Sequence, residues 1–187
     1  MVKRKTCVFI SGRGSNLNNI IIRSRDKTFP IKISLIISNK KNAKGIYYAK
    51  KFNIPYAIIN TKIRNCDNKI LLNLKKYKIS FICLAGYMKI ISSKIINSFG
   101  KKIINIHPSL LPKFKGLNTF KRILKNKEIK AGCTVHYVNS KLDDGNIIVK
   151  KSFYLGPLEN EQTLKQKTQA LEYKAYPEAI IKIFRHC

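Results

Sequence analysis

Apolar runs recur through the first 106 residues, at 5–10, 31–38, 56–59, 80–85 and 102–106, and each ends in a polar, Gly- or Pro-bearing turn. Between them lie segments with helical apolar spacing. Leu17, Ile20 and Ile21 begin one, 44–52 is another, Ile70, Leu71 and Leu74 mark a third over 64–77, and 92–99 is a fourth. A strand about every 25 residues with a helix between is the βαβ unit, and repeated units build a parallel sheet with helices on both faces. The run 80–85 carries no charge and is expected at the centre. Ligands of such sheets sit at the carboxyl ends of the strands, here the loops 11–16, 86–91 and 105–112. After Pro112 the pattern changes. A basic helix is expected over 117–125, then strands over 131–138 and 146–154 joined by a polar loop, an antiparallel hairpin closing one edge. The segment 161–184 reads as a long amphipathic helix that Pro177 should kink or break near Tyr176. The fold class is therefore α/β and Rossmann-like, a mostly parallel twisted sheet with an antiparallel edge formed by the late strands.

Length agrees with one domain over 1–187. The hydrophobic share, 44%, is enough for a core, and no run of 18 or more apolar residues suggests a membrane span. The basic, then apolar N-terminus lacks a small-residue cleavage site and reads as a first strand, which predicts a cytoplasmic protein. Five cysteines (7, 66, 83, 133, 187) are odd in number and scattered. That pattern fits a reducing compartment with neither disulfide framework nor zinc site, and the histidines add no metal-ligand spacing. The net charge of +29 is the strongest compositional signal, and it will attract anions non-specifically at low salt. Its carriers are spread along the chain, and 31 of the 38 are Lys rather than Arg. Lys, Asn and Ile rise together, as an A/T-biased genome would produce. The charge thus argues for no specific nucleic-acid partner.

Three local patterns carry chemistry. Ser11-Gly12-Arg13-Gly14-Ser15-Asn16 joins a strand to a helix. Backbone N–H groups and the helix dipole there can hold an anion, with Ser15 or Asn16 capping the helix or touching the anion directly. The same turn also serves as a plain βα connection. In Ile103-Ile104-Asn105-Ile106-His107-Pro108-Ser109-Leu110-Leu111-Pro112, Asn105 and His107 are two apart and share a face at a strand end. An amide and an imidazole there can hold an oxyanion while a proton moves, or be a turn cap and a satisfied strand-end His. Asp143 and Asp144 are an acidic pair in a chain with nine carboxylates. Asp144-Gly145 is turn chemistry, which leaves Asp143 available. Asn, His and Asp together would make an acyl-transfer site. No Ser or Cys nucleophile sits in an elbow turn, so the attacking group should belong to a substrate.

Over residues 6 to about 184 the chain resembles the folate-dependent formyltransferases, and among them the phosphoribosylglycinamide formyltransferases of purine synthesis. The motifs are Ile10-Ser11-Gly12-Arg13-Gly14-Ser15-Asn16-Leu17, Leu84-Ala85-Gly86-Tyr87-Met88-Lys89-Ile90, Asn105-Ile106-His107-Pro108-Ser109-Leu110-Leu111-Pro112, Val135-His136-Tyr137-Val138 and Leu142-Asp143-Asp144-Gly145. The resemblance implies an enzyme that transfers a formyl group from 10-formyltetrahydrofolate, a co-substrate, to the amine of glycinamide ribonucleotide. It implies a catalytic trio of Asn105, His107 and Asp143, a phosphate-binding turn at Gly14, Ser15 and Asn16, and Glu172 as a contact of the glycinamide. Folate contacts are implied at Met88, Lys89, Ile90, Ile91 and Asn105, and at Arg64 with a one-residue gap. A nucleotide-substrate half about 1–100 and a folate and catalytic half about 101–187 follow, with no metal and a monomer or homodimer.

Departures from that pattern are specific. Asp144 stands where the family usually has Gly, stiffening the loop and placing a second negative charge beside Asp143, an arrangement that raises the apparent pKa of such a pair. Lys89 stands where Arg is common, and the chain ends at Cys187, short of many family members but beyond the motifs. Two rival readings are a methionyl-tRNA formyltransferase, for whose usual additional C-terminal RNA-binding domain 187 residues leave no room, and a catalytically dead basic nucleic-acid module, which predicts loss of a trio that is present.

Overall fold

The computed structural model describes residues 2–185, so Cys187 lies outside the described residues. The elements are β1 (Arg4–Ile10), α1 (Ser15–Ser24), β2 (Ile31–Ser38), α2 (Ile46–Lys51), β3 (Tyr56–Ile58), α3 (Cys66–Lys76), β4 (Phe81–Leu84), α4 (Ser93–Phe99), β5 (Ile103–His107), α5 (Thr119–Lys125), β6 (Lys130–Tyr137), β7 (Ile147–Tyr154) and α6 (Glu161–Phe184). The strands form one seven-stranded sheet in the order β3-β2-β1-β4-β5-β6-β7. β1 pairs in parallel with β2 and β4, and β2 with β3, while β6 and β7 pair antiparallel. The uncharged run 80–85 contains β4, the middle strand of the seven, and the late hairpin forms one edge, as its composition requires.

The chain divides into two compact units, 1–104 and 105–187. In the first, β1 is buried from Thr6 to Ile10 and β4 throughout. Leu17 and Ile20 of α1 and Leu35, Ile36 and Ile37 of β2 are fully buried, each such side chain contributing roughly 1.5–3 kcal/mol against exposure. In the second unit α6 packs on β6, β7 and α5. Ile123, Ala131 and Leu164 meet there, flanked by Phe114, Phe120, Leu124, Phe153 and Leu155.

Of the kink or break expected near Tyr176, the break is absent: α6 runs as one helix from Glu161 to Phe184 through Pro177. Proline removes one helical N–H, yet Ala175, Tyr176, Pro177, Ala179 and Ile180 are all buried, and that packing outweighs the lost bond. At α1 neither Ser15 nor Asn16 caps the helix. The N-cap is Gly14, in left-handed backbone at φ 75°, and no side chain caps it. Among the described residues no helix is long and apolar enough to cross a membrane.

Candidate active site

In the first unit, Ser11 fastens two of the loops that follow strands. Its N–H donates to the Gly86 carbonyl, its Oγ accepts from the Met88 N–H at 2.8 Å, and the same hydroxyl donates to Asn39 Oδ1. Residues 11–16 and 86–91 are thereby held together. Gly14 is needed for close approach as well as for its positive φ: a Cβ there would stand 2.6 Å from the Gly45 Cα. Above Gly12 the space is open, with nothing within 4 Å of a built Cβ. Ser15 and Asn16 open α1, with Asn16 buried. Met88, Lys89 and Ile90 are exposed and Ile91 is buried, so two apolar side chains, Met88 and Ile90, face outward. Arg64 is exposed, in the segment ahead of α3.

The second unit holds a tighter cluster. Alternation along β5 sets Asn105 and His107 on one face, the first half-buried and the second buried. The chain then makes the 108–113 turn, in which Leu111–Pro112 is cis. Thr134 of β6 pins this turn, its Oγ1 donating to the Ser109 carbonyl at 2.6 Å and accepting from the Leu111 N–H. Beyond the turn, Phe114, Gly116 and Asn118 have positive φ (59°, 79° and 55°), as does Asp143 (48°) in the loop between β6 and β7. Strained backbone of this kind persists where the surroundings hold it and gathers at functional sites. Here it aims particular atoms. The Phe114 carbonyl lies 2.9 Å from His107 Nε2, and the Gly116 N–H donates to Asp143 Oδ2 at 2.9 Å.

Asp143 is the hub. Its Oδ2 is 3.3 Å from His107 Nδ1, and its Oδ1 is 3.6 Å from His136 Nε2 and 3.4 Å from Asn105 Nδ2. His136 Nε2 also lies 3.3 Å from Asn105 Nδ2, while His136 Nδ1 donates to the Tyr137 carbonyl. Gly145 lets the loop close: a Cβ there would stand 1.8 Å from the Tyr137 carbonyl oxygen.

The electrostatics set the resting protons. Burial pushes the Asp143 carboxyl up, but hydrogen bonding from His136 and the Gly116 N–H, with positive charge on His107 and His136, brings it down to about 2. Burial is also the largest influence on His107 and holds its imidazole below the ordinary 6.5, against the Phe114 carbonyl and Asp143, which pull upward. Near pH 7 the carboxylate is thus ionised and the imidazole neutral. With the Nε2–H donated to Phe114, the Nδ1 lone pair faces Asp143 Oδ2, and one proton fits between them.

The expected trio is brought together. Glu172, half-buried on α6, is near Cys133 of β6, whose thiol is pushed up to about 12 by burial first and then by the Glu172 charge. The expectation that Asp144 raises the apparent pKa of the acidic pair is corrected. Asp144 turns outward to Lys115, whose hydrogen bond and charge lower its own pKa, while Asp143 is also lowered. His136, the Phe114 carbonyl and the Gly116 N–H were not expected in the cluster. A signal for His136 existed, since it lies in a quoted motif on a strand that alternates toward the interior.

The formyl transferase family model matches residues 4–180. The phosphoribosylglycinamide formyltransferase of Haemophilus influenzae is 38% identical over 97% of this chain and 87% of that protein. The trifunctional purine biosynthetic protein adenosine-3 of Drosophila pseudoobscura is 40% identical over 95% of this chain, which spans 14% of that longer protein. Among solved structures, phosphoribosylglycinamide formyltransferase from Bacillus halodurans superposes with a TM-score of 0.93 at 30% identity, covering 98% of this chain and 96% of that one.

Proposed function

The chain belongs to the formyl transferase family, and from that premise we propose that it moves a formyl group from 10-formyltetrahydrofolate to the primary amine of 5'-phosphoribosylglycinamide. The observation that carries the reading is the contact of His107 Nδ1 with Asp143 Oδ2 at 3.3 Å beside the Asn105 amide. The substrate amine attacks the formyl carbon, so a C–N bond forms and an oxyanion develops. Asn105 holds its amide by two long contacts, 3.3 and 3.4 Å, and can turn an N–H onto that oxyanion at little cost. The amine loses one proton. The neutral His107 and ionised Asp143 offer the place for it, between Nδ1 and Oδ2. The bond from the formyl carbon to N10 of the folate then breaks, and N10 takes up one proton. His107, beside Asn105, also helps to stabilise the oxyanion, and Asp143 holds its ring and assists the proton transfer, with the Phe114 carbonyl 2.9 Å from Nε2 fixing the ring's orientation.

In the same reading Gly14, Ser15 and Asn16 at the start of α1 hold the ribonucleotide phosphate, and Glu172 contacts the glycinamide. Met88, Lys89, Ile90, Ile91, Asn105 and Arg64 contact the folate. The outward apolar side chains of Met88 and Ile90 support that assignment. One formyltransferase domain divides into a nucleotide-substrate half about 1–100 and a folate and catalytic half about 101–187. It works in the cytoplasm as a monomer or homodimer, with no resident metal and no specific nucleic-acid partner.

The test is formyl transfer by the purified protein at physiological salt, with 10-formyltetrahydrofolate as donor. Glycinamide ribonucleotide and aminoacylated initiator tRNA serve as acceptors in separate arms. Turnover with the ribonucleotide alone is expected. Turnover with the tRNA alone, or with neither, overturns the reading.

A further inference from the structure

A second contact joins the two loops that meet at Asp143, and it lies outside the cluster just described. We propose that the Lys115–Asp144 ion pair is a positioning latch, clasping the 142–145 turn to the 114–118 loop so that the Asp143 carboxylate stays on the Gly116 N–H and His107 Nδ1. Neither Lys115 nor Asp144 touches reacting atoms.

Lys115 stands between Phe114, whose carbonyl holds His107, and Gly116, whose N–H holds Asp143. Its own backbone is anchored. Arg122 Nη1 donates to the Lys115 carbonyl at 2.6 Å, and the Arg122 guanidinium lies 5.4 Å from the centroid of the Phe114 ring. The lysine is therefore a fixed post, and pairing draws the other loop to it. Asp144 directly follows Asp143, whose left-handed backbone costs an L-residue roughly 1–2 kcal/mol. A turn held in that conformation relaxes when its tether goes, and Asp143 moves with it. The charges facing Asp144 are Lys115 and, more weakly, Lys141, and both favour the ionised carboxylate that the latch requires. The two side chains are 35% and 39% exposed, so the latch is shallow and salt-sensitive.

The activity arm of the test rests on the proposed formyl transfer; the exchange arm does not. Full-length wild type, Lys115→Gln, Asp144→Asn and the double variant form a cycle. kcat is read with both substrates saturating, so that altered charge does not enter through substrate capture. Hydrogen exchange of the Gly116 amide is read by NMR. Each single variant is expected to lower kcat and speed Gly116 exchange by about 2–5-fold, the range of an exposed pair. The double variant should be no worse than either single. Lys115→Arg should retain wild-type values. Raising NaCl to 1 M should bring wild type to the level of the single variants and leave theirs unchanged. Additive effects in the exchange cycle, or unaltered Gly116 exchange in both single variants, overturn the latch. A protein that transfers no formyl group silences only the kcat arm, and exchange still decides.

Discussion

His107 has an acceptor at each ring nitrogen: the Phe114 carbonyl at Nε2 and the Asp143 carboxylate at Nδ1. Two acceptors favour a doubly protonated ring, and burial favours a neutral one. Held between these demands, the pair has room for one proton and no fixed claim on it, which suits a base that must also release. His107→Ala or Asp143→Asn should lower kcat by roughly 10²–10⁴-fold while the protein stays folded, and near wild-type turnover in either would sink the assignment. Stability carries a second signature. Both groups have folded pKa values below their unfolded ones, so the unfolded chain binds the proton more readily. Their contributions are full above the unfolded values and are lost as pH falls. The loss begins below about 6.5 for His107 and below about 3.9 for Asp143, completing for the latter near its folded value of about 2. The stability gap between wild type and Asp143→Asn, read by denaturant melts from pH 7 to 3, should therefore narrow at the acid end, by roughly 2 kcal/mol at most. A gap that stays constant would mean that the carboxylate is not held as described. Spacing placed Asn105 and His107 on one face and Asp143 stood out in a turn of a carboxylate-poor chain, but only the family resemblance joined the three into a trio. The Phe114 carbonyl and Gly116 N–H were not legible, because a backbone group becomes a ligand only when the chain is folded around it.

The turn before α1 shows how an element can satisfy a motif for two reasons at once. Gly14 was read as a phosphate contact, yet the fold requires it regardless, because its Cβ would strike Gly45 at 2.6 Å and its φ is 75°. Gly14→Ala should therefore cost roughly 1–3 kcal/mol and several degrees of Tm whatever it does to binding, so loss of activity there says little about phosphate. Gly12 separates the two effects. A side chain at that position meets nothing within 4 Å and projects into the open space above the turn. Gly12→Val should keep the wild-type Tm and raise KM for the ribonucleotide, leaving the folate KM unaltered. An unchanged ribonucleotide KM in a folded Gly12→Val protein would refute the phosphate turn. Most elements were legible to within a residue or two, since their apolar period of 2 or 3.6 is local. The continuity of α6 through Pro177 was not, because what offsets the missing N–H is burial of Tyr176, Pro177, Ala179 and Ile180 against a strand pair remote in sequence.

At the scale of the whole molecule charge dominates. With 38 basic and 9 acidic residues, one-to-one pairing leaves at least 38 − 9 = 29 bases without a carboxylate. Some acids are already committed, as Glu128 is to Lys113, Asp144 to Lys115, Glu178 to Lys151 and Glu159 to Lys167. The remainder repel one another, and compaction brings them closer, so the charge works against the fold. The central place of β4 was legible from the absence of charge in its run, because a strand buried along its whole length has no position at which a lysine stays solvated. The overall cost of the charge was not legible, since it depends on distances between all the bases at once. Screening exposes it. The Debye length falls from about 30 Å at 10 mM salt to about 8 Å at 150 mM, which removes most repulsion between distant bases and spares contacts of a few ångströms. Tm should accordingly rise as NaCl increases over that interval, by about 2–4 °C for each kcal/mol of repulsion relieved. Only towards 1 M NaCl, where the Debye length is about 3 Å, does the direct Lys115–Asp144 contact weaken, so the latch-dependent share of kcat should fall over that higher interval, after the rise in Tm. A Tm that stays level or falls would mean that the paired carboxylates, few as they are, outweigh the excess of bases, and that the charge is no burden to this fold.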